Sequence, residues 1–258
     1  MINKFDMEVG GRLLEIEHGR VANQAGGAVT VRYGETMLLA TATASKKPRS
    51  GADFLPLTVD VAEKAYAAGK LPGGFFKREG RPATEAILAG RMIDRPIRPL
   101  FSKTIHNEIQ IIITVLASDQ VNPYPALGII GASIALAISD IAFNDPIAAC
   151  VIGLVGGELV VNPTYEELTT SDLELIVAGT GDATMMVESG CNFVSEEILL
   201  DALELAQEVN GAIVEQIQEI QVKVGKEKWE APAVSDEEKA AEKATRAARA
   251  VAHVVSGT

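Results

Sequence analysis

The chain has 258 residues, 47% of them apolar, and a formal net charge of −12 at pH 7. That length and apolar share are enough for one sizeable core, as a single domain or a domain with an appendage. The acidic balance excludes a general electrostatic attraction for polyanions, so any contact with nucleic acid has to be local and guided.

Met1-Ile-Asn-Lys-Phe-Asp6 lacks the apolar core of an export signal. The longest apolar stretch, residues 126–138, falls short of the ~20 residues a membrane span needs, and Asp140 follows it. Cys150 and Cys191 lie among apolar or small residues and read as free buried thiols of a reducing compartment. These features lead us to expect a soluble cytoplasmic protein with no membrane partner.

The first sixty residues read as short strands. Residues 14–17 and 29–32 alternate apolar with polar, Tyr33-Gly-Glu-Thr36 is a turn, and residues 37–43 continue as a strand, together an antiparallel meander. Residues 57–61 are a further strand. A Gly73-Gly74 loop follows, then a short helix over residues 83–94. Pro82 fits the first turn of that helix, and Pro96 forbids continuation beyond Arg95. Arg91 and Arg95, four apart, share one face. Residues 109–115 form a buried β-branched strand. Residues 126–143 form a helix whose Gly128, Gly131, Ala132 and Ala135 permit close approach to a sheet.

Strands at 148–155 and 158–161 meet through Gly156-Gly157, a strong hairpin signal. A second pair, 173–178 and 183–189, is joined through Gly179-Thr-Gly181. Ser195 caps a long amphipathic helix with Glu196 and Glu197 in its first turn, an apolar stripe from Leu199 to Ile220, and Gly225 at its end. Residues 226–234 are a polar linker interrupted by Pro232. Ser235-Asp-Glu-Glu238 then opens a helix over residues 235–258 that has little apolar surface of its own. The order implies an α+β domain over residues 1–225 with a helical segment behind it.

The most informative stretch is Gly73-Gly-Phe-Phe-Lys-Arg-Glu-Gly-Arg-Pro82. Adjacent phenylalanines in a strand would point to opposite faces, but on a glycine hinge both rings can project together. Rings beside Lys77 and Arg78 offer stacking faces and phosphate partners to a single-stranded nucleic acid. From Lys70 to Lys103, eight cations (Lys70, Lys77, Arg78, Arg81, Arg91, Arg95, Arg98, Lys103) face three anions (Glu79, Glu85, Asp94). Two competing readings stay open. Phe75 and Phe76 would equally serve as packing of a hairpin tip or a subunit contact, and the arginines as ion-pair partners of Asp94 or Glu85.

This run, followed by Arg91-Met-Ile-Asp-Arg-Pro-Ile-Arg-Pro-Leu-Phe101, closely resembles the first ribonuclease PH-like domain of the bacterial polynucleotide phosphorylase family. The resemblance extends to Tyr33-Gly-Glu-Thr36, Leu55-Pro-Leu57, Val177-Ala-Gly-Thr180 and Met185-Met-Val-Glu188, and so covers nearly the whole chain. It implies a ribonuclease PH fold and the N-terminal part of a longer 3′-to-5′ exoribonuclease. Such an enzyme releases nucleoside diphosphates from single-stranded RNA with inorganic phosphate as co-substrate, reversibly. It also implies a homotrimeric ring, a place in an RNA-degradation assembly, and Mg²⁺ bound by a second ribonuclease PH-like domain. The implied RNA-binding residues are Phe75, Phe76, Lys77, Arg78, Arg81, Arg91, Arg95 and Arg98.

The resemblance implies no catalytic or metal-binding residue in this chain. The family's second domain carries a phosphate-gripping serine turn and an Asp-Met-Asp-Phe-Lys-Val-Ala-Gly-Thr run with an upstream acid. The equivalent run here is Asp172-Leu-Glu-Leu-Ile-Val-Ala-Gly-Thr180. Ile176 stands for the lysine, Leu168 for the upstream acid and Pro123-Tyr124-Pro125 for the serine turn. The alternatives are a stand-alone non-catalytic RNA-binding and assembly module and, less well supported, a small-molecule phosphotransferase. His18, His106 and His253 lack metal-ligand spacing, the Gly73–Gly80 spacing lacks the Gly-Lys-Ser/Thr of a phosphate loop, and Asp53, Asp60 and Glu63 read as solvated strand ends.

Overall fold

A computed structural model of the chain describes residues 2–143 and 145–232. The expected helix over 235–258, its capping box, His253 and the end of the linker lie outside the described residues.

Alternation in the first third produces the expected meander of β2 (Arg12–His18), β3 (Gly27–Tyr33) and β4 (Thr36–Pro48), with Tyr33 opposite Thr36 across the turn, and a strand outside the expected set, β1 (Asn3–Val9), pairs antiparallel with β2 at its edge. β6 (Asn107–Ala117) adds antiparallel to β4, and β5 (Leu57–Ala62) closes the edge parallel to β6, giving the order β1-β2-β3-β4-β6-β5. Parallel neighbours need a crossover. It consists of the Gly73-Gly74 loop, α1 (Thr84–Ile97) and a 3₁₀ turn at Arg98–Leu100. The aromatic loop therefore leaves the sheet at the C-terminal end of its edge strand.

α2 (Pro125–Ile138) is buried over Ala126–Ile138 and joins the two sheets. Small residues set its approach: a Cβ at Gly27 would stand 1.9 Å from the Ala135 carbonyl, and one at Gly128 2.9 Å from Ile93. The second sheet, β10-β9-β7-β8, comprises β7 (Ala148–Val155), β8 (Glu158–Val161), β9 (Leu173–Gly179) and β10 (Thr184–Cys191), all antiparallel. Ala149, Val151, Ile176 and Ala178 join the main core with α2. Cys150, Ile152, Leu175 and Val177 form a smaller core with the first half of α4 (Glu196–Val224). The Ser195 cap and the Gly225 stop are as the sequence implies.

Several expectations need correction. α1 starts one residue later, with extended Ala83 as its N-cap and Pro82 before it, and runs through Pro96 to Ile97. The proline removes one hydrogen bond near the helix end, and the Arg98 guanidinium, bound to both Asp94 carboxylate oxygens at 2.6 and 2.9 Å, spans that turn. α2 stops at Ile138 rather than continuing to Phe143. Its last carbonyls are taken from far along the chain: Lys226 N–H donates to Ile138 O, and Lys228 Nζ donates to Leu136 O and Ser139 O. Burial pulls the Lys228 ammonium down to about 8. Cys191 is exposed at the end of edge strand β10, whereas Cys150 is buried. A short helix, α3 (Tyr165–Thr170), with a Thr164–Glu167 capping box, was not among the expected elements. Among the described residues, no helix is long and apolar enough to cross a membrane.

Turns of the first sheet and the β6–α2 connection are tied together at Asp119. Its carboxylate accepts from Val121 N and Asn122 N (2.8 Å each), Thr36 Oγ1 (2.9 Å), Glu35 N (3.1 Å) and Asn122 Nδ2 (2.6 Å). Asn122 in turn accepts from Arg12, which also donates to Asn162 O and lies over the Tyr33 ring at 5.0 Å. This network fixes the segment that presents Pro123, Tyr124 and Pro125.

Candidate nucleic-acid interface

Two glycines and a strained lysine shape the loop between β5 and α1. Gly69 (φ +67°) ends the 3₁₀ turn Ala65–Ala68, Gly74 has φ +77°, and Lys77 takes φ +50° just after the phenylalanines. Left-handed backbone on either side of Phe75-Phe76 breaks strand alternation, so both rings leave the same stretch of loop. A Cβ at Gly73, Gly74 or Gly80 would meet nothing within 4 Å. Within the loop Glu79 Oε1 accepts from Ala65 N–H at 2.9 Å, and Ser118 N–H donates to Ala67 O at 2.9 Å, tying the loop's 3₁₀ turn to the end of β6.

Phe75 and Phe76 are 93% and 80% exposed, with ring centroids 5.4 Å apart and planes at 83°. Two solvated, edge-to-face rings bury almost nothing against the described residues, which argues against the packed-hairpin-tip reading and favours a partner for them, a nucleic acid or another subunit. Among the described residues, Lys77, Arg78, Arg81 and Arg91 have no side-chain partner. Arg91 lies on the exposed face of α1, bordering a shallow 330 Å³ groove between α1 and β5.

The other two arginines are engaged. Arg98 binds Asp94 and donates to the carbonyls of Leu55 (3.3 Å) and Leu57 (3.0 Å), pinning the start of β5 to the end of α1. Arg95 pairs with Glu188 of β10 at 2.9 Å, linking α1 to the second sheet. The sequence offered Asp94 or Glu85 as partners for these arginines without assigning either, and the fold gives Asp94 to Arg98. No pattern in the sequence pointed to Glu188, because only the fold brings β10 beside α1. Glu79's tether was equally illegible.

The region equivalent to the family's catalytic run is also defined. Ile176 is buried in β9 between Val151 and Glu188, and Leu168 sits half-buried in α3. Neither side chain has an atom that ligates a metal or moves a proton, so these residues do not fit Mg²⁺. Among the described residues, no group of three His, Cys, Asp or Glu side chains is placed to hold a metal ion. Tyr124 precedes α2 and donates its hydroxyl to Glu63 Oε1 at 2.6 Å. Burial, then the Glu63 carboxylate, pushes the phenol well above its usual range, so it stays protonated at neutral pH.

Comparison with known proteins places this geometry. Residues 10–142 match the family model described as 3′ exoribonuclease family, domain 1, and residues 145–209 match that described as domain 2 of the same family. The chain is 53% identical over 228 residues to a polyribonucleotide nucleotidyltransferase of Heliobacterium modesticaldum, covering 88% of this chain and 32% of the relative. It is 52% identical over 243 residues to one from Syntrophomonas wolfei, covering 93% of this chain and 35% of that protein. The chain thus spans about a third of the length of the curated relatives it matches. Among solved structures, rice (Oryza sativa) Rrp46 superposes with a TM-score of 0.64 over 86% of this chain and 94% of that one, at 13% identity, a likeness of fold.

Proposed function

This chain belongs to the 3′ exoribonuclease family, and from that premise we propose that it is the N-terminal, RNA-guiding part of a polynucleotide phosphorylase. The complete protein would shorten single-stranded RNA from its 3′ end with inorganic phosphate, releasing nucleoside diphosphates, in the cytoplasm and as a homotrimer. Residues 1–225 would be its first ribonuclease PH-like domain, 226–234 a linker and 235–258 the start of a helical domain. Mg²⁺ and the phosphorolytic residues would belong to a second such domain.

One observation carries the reading: an exposed aromatic pair on a glycine-hinged loop, followed by three cations without partners among the described residues. Bases stack on rings regardless of sequence, and phosphates pair with lysine and arginine. In this role Phe75, Phe76, Lys77, Arg78, Arg81 and Arg91 touch the strand. Arg95 and Arg98 shape the platform through Glu188 and Asp94 and border the same path. A chain of net charge −12 gains little from long-range attraction, so the strand is held by this local patch.

Phosphorolysis by the chain alone is the test. Ile176, Leu168 and Pro123-Tyr124-Pro125 supply neither acid, lysine nor serine trio. We therefore expect that incubation with single-stranded RNA, Mg²⁺ and phosphate yields no nucleoside diphosphate above a no-protein control. Release that scales with protein concentration would refute the non-catalytic role.

A further inference from the structure

At the foot of the aromatic loop lies a cavity of about 570 Å³, enclosed by the Ala65–Ala68 turn, the start of α1 and Tyr124. Cavities of about 300–1,000 Å³ with apolar walls and a few polar groups are the usual size and make-up of small-ligand sites. This one has a sharp division of chemistry. Val61, Ala67, Ala86 and Val115 supply aliphatic lining. Lys64 and Arg81 also line it, and neither has a side-chain partner among the described residues.

Ser118, Tyr124 and three carboxylates make up the remaining polar lining. Glu63 has one oxygen taken by the Tyr124 hydroxyl, and Glu79 has one taken by Ala65 N–H, which leaves each with a second oxygen for an incoming donor. Asp60 joins them. A ligand matched to this lining needs an apolar ring with N–H donors on its edge and an anionic group for the two cations. A simple anion would be repelled by the three carboxylates, and an apolar molecule would leave both cations unused.

We propose that this cavity binds one purine nucleoside phosphate, its base against the aliphatic lining with N–H groups toward the carboxylates and its phosphate at Lys64 and Arg81. The proposal deepens the RNA-guiding reading, on which it rests, by adding a pocket for a single nucleotide beside the stacking loop. The nucleotide is either one unit of the RNA strand or a free mononucleotide.

Titration calorimetry of the chain with GMP tests this, since guanine offers two adjacent N–H donors to a carboxylate; inorganic phosphate and a short oligoribonucleotide serve as parallel ligands. GMP is expected to bind at least tenfold more tightly than phosphate. Ala67→Trp, which fills the cavity, should weaken GMP binding at least tenfold, and Lys64→Ala severalfold. Phe75→Ala with Phe76→Ala should leave GMP binding unchanged. Should Ala67→Trp fail to fold, as its melting curve would reveal, the half-buried Lys64, outside any helix or strand, offers a milder change, and Lys64→Ala decides alone. Displacement of the oligoribonucleotide by saturating GMP identifies the occupant as a unit of the strand; simultaneous binding identifies it as a free nucleotide. No GMP binding in a chain that still binds the oligoribonucleotide overturns the cavity proposal and leaves the RNA-guiding reading standing. GMP binding without oligoribonucleotide binding does the reverse. GMP binding insensitive to Lys64→Ala, or no tighter than phosphate, also overturns it.

Discussion

Replacing both loop phenylalanines, Phe75→Ala with Phe76→Ala, is expected to weaken binding of a single-stranded oligoribonucleotide by at least thirtyfold. Stacking on an aromatic side chain contributes about 1–3 kcal/mol per base, so two rings amount to roughly 2–6 kcal/mol, and thirtyfold corresponds to the low end. The rings release no counterions, so the slope of log affinity against log salt should stay where it was. Arg78→Ala should instead flatten that slope by about 0.7, because one phosphate of the single strand is no longer neutralised. Because the rings are 93% and 80% exposed, their removal should leave the melting temperature unchanged. A double variant that melts earlier, or that alters self-association while binding RNA normally, would assign the rings to packing or to a subunit contact.

Asp119→Ala is expected to be the most damaging single change outside the hydrophobic core. One carboxylate satisfies three backbone N–H groups and two side chains that hold the β3–β4 turn and the approach to α2. Losing such charge-assisted bonds and leaving their donors unmet costs about 3 kcal/mol, which in a domain of this size lowers the melting temperature by about 6–12 °C. The loss should depend on pH. Burial alone would raise the Asp119 pKa, but the N–H groups of Asn122 and Val121, with the Asn122 and Thr36 side chains, outweigh it and hold the carboxyl well below its usual 3.8. A carboxyl depressed in the folded state stabilises fully above its unfolded pKa, and that contribution fades as pH falls through and below it. The gap in melting temperature between the wild type and Asp119→Ala should therefore be constant near neutrality and shrink below about pH 4. A gap that is small at pH 7, or that widens on acidification, would contradict the role assigned to Asp119.

Periodicity made most of the fold legible. Period-two alternation located most of the meander, the Gly156-Gly157 pair located its hairpin, and the apolar stripe gave α4, with Ser195 and Gly225 marking its ends. Pattern reading failed where distant segments supply hydrogen bonds. At the end of α2 the Ser139 N–H and hydroxyl turn back on Leu136 O, and Lys226 and Lys228 take the last carbonyls from far along the chain, a part of the cap that no local pattern announces. α1 passes Pro96 because Arg98 reaches back to Asp94 and holds the last turn closed where the proline has removed a hydrogen bond. The candidate site divides the same way. Phe75 and Phe76 stood out in the sequence as two rings between glycines and cations, but their exposure, which separates a stacking platform from a packed hairpin tip, is visible only in the folded chain. Which of the arginines are engaged depended on Glu188 and on the Leu55 and Leu57 carbonyls, which only the folded chain brings within reach.

Photo-cross-linking tests the central claim most directly, because it reports where a single strand lies on the unmodified chain. An oligoribonucleotide carrying 4-thiouridine, irradiated with the chain and digested for mass spectrometry, should attach to the peptide that contains Phe75, Phe76, Lys77 and Arg78. Competition by unlabelled single-stranded RNA should remove the adduct, and duplex RNA should not. Cross-links confined to other surfaces, or none at this loop under conditions where the RNA is bound, would contradict the account.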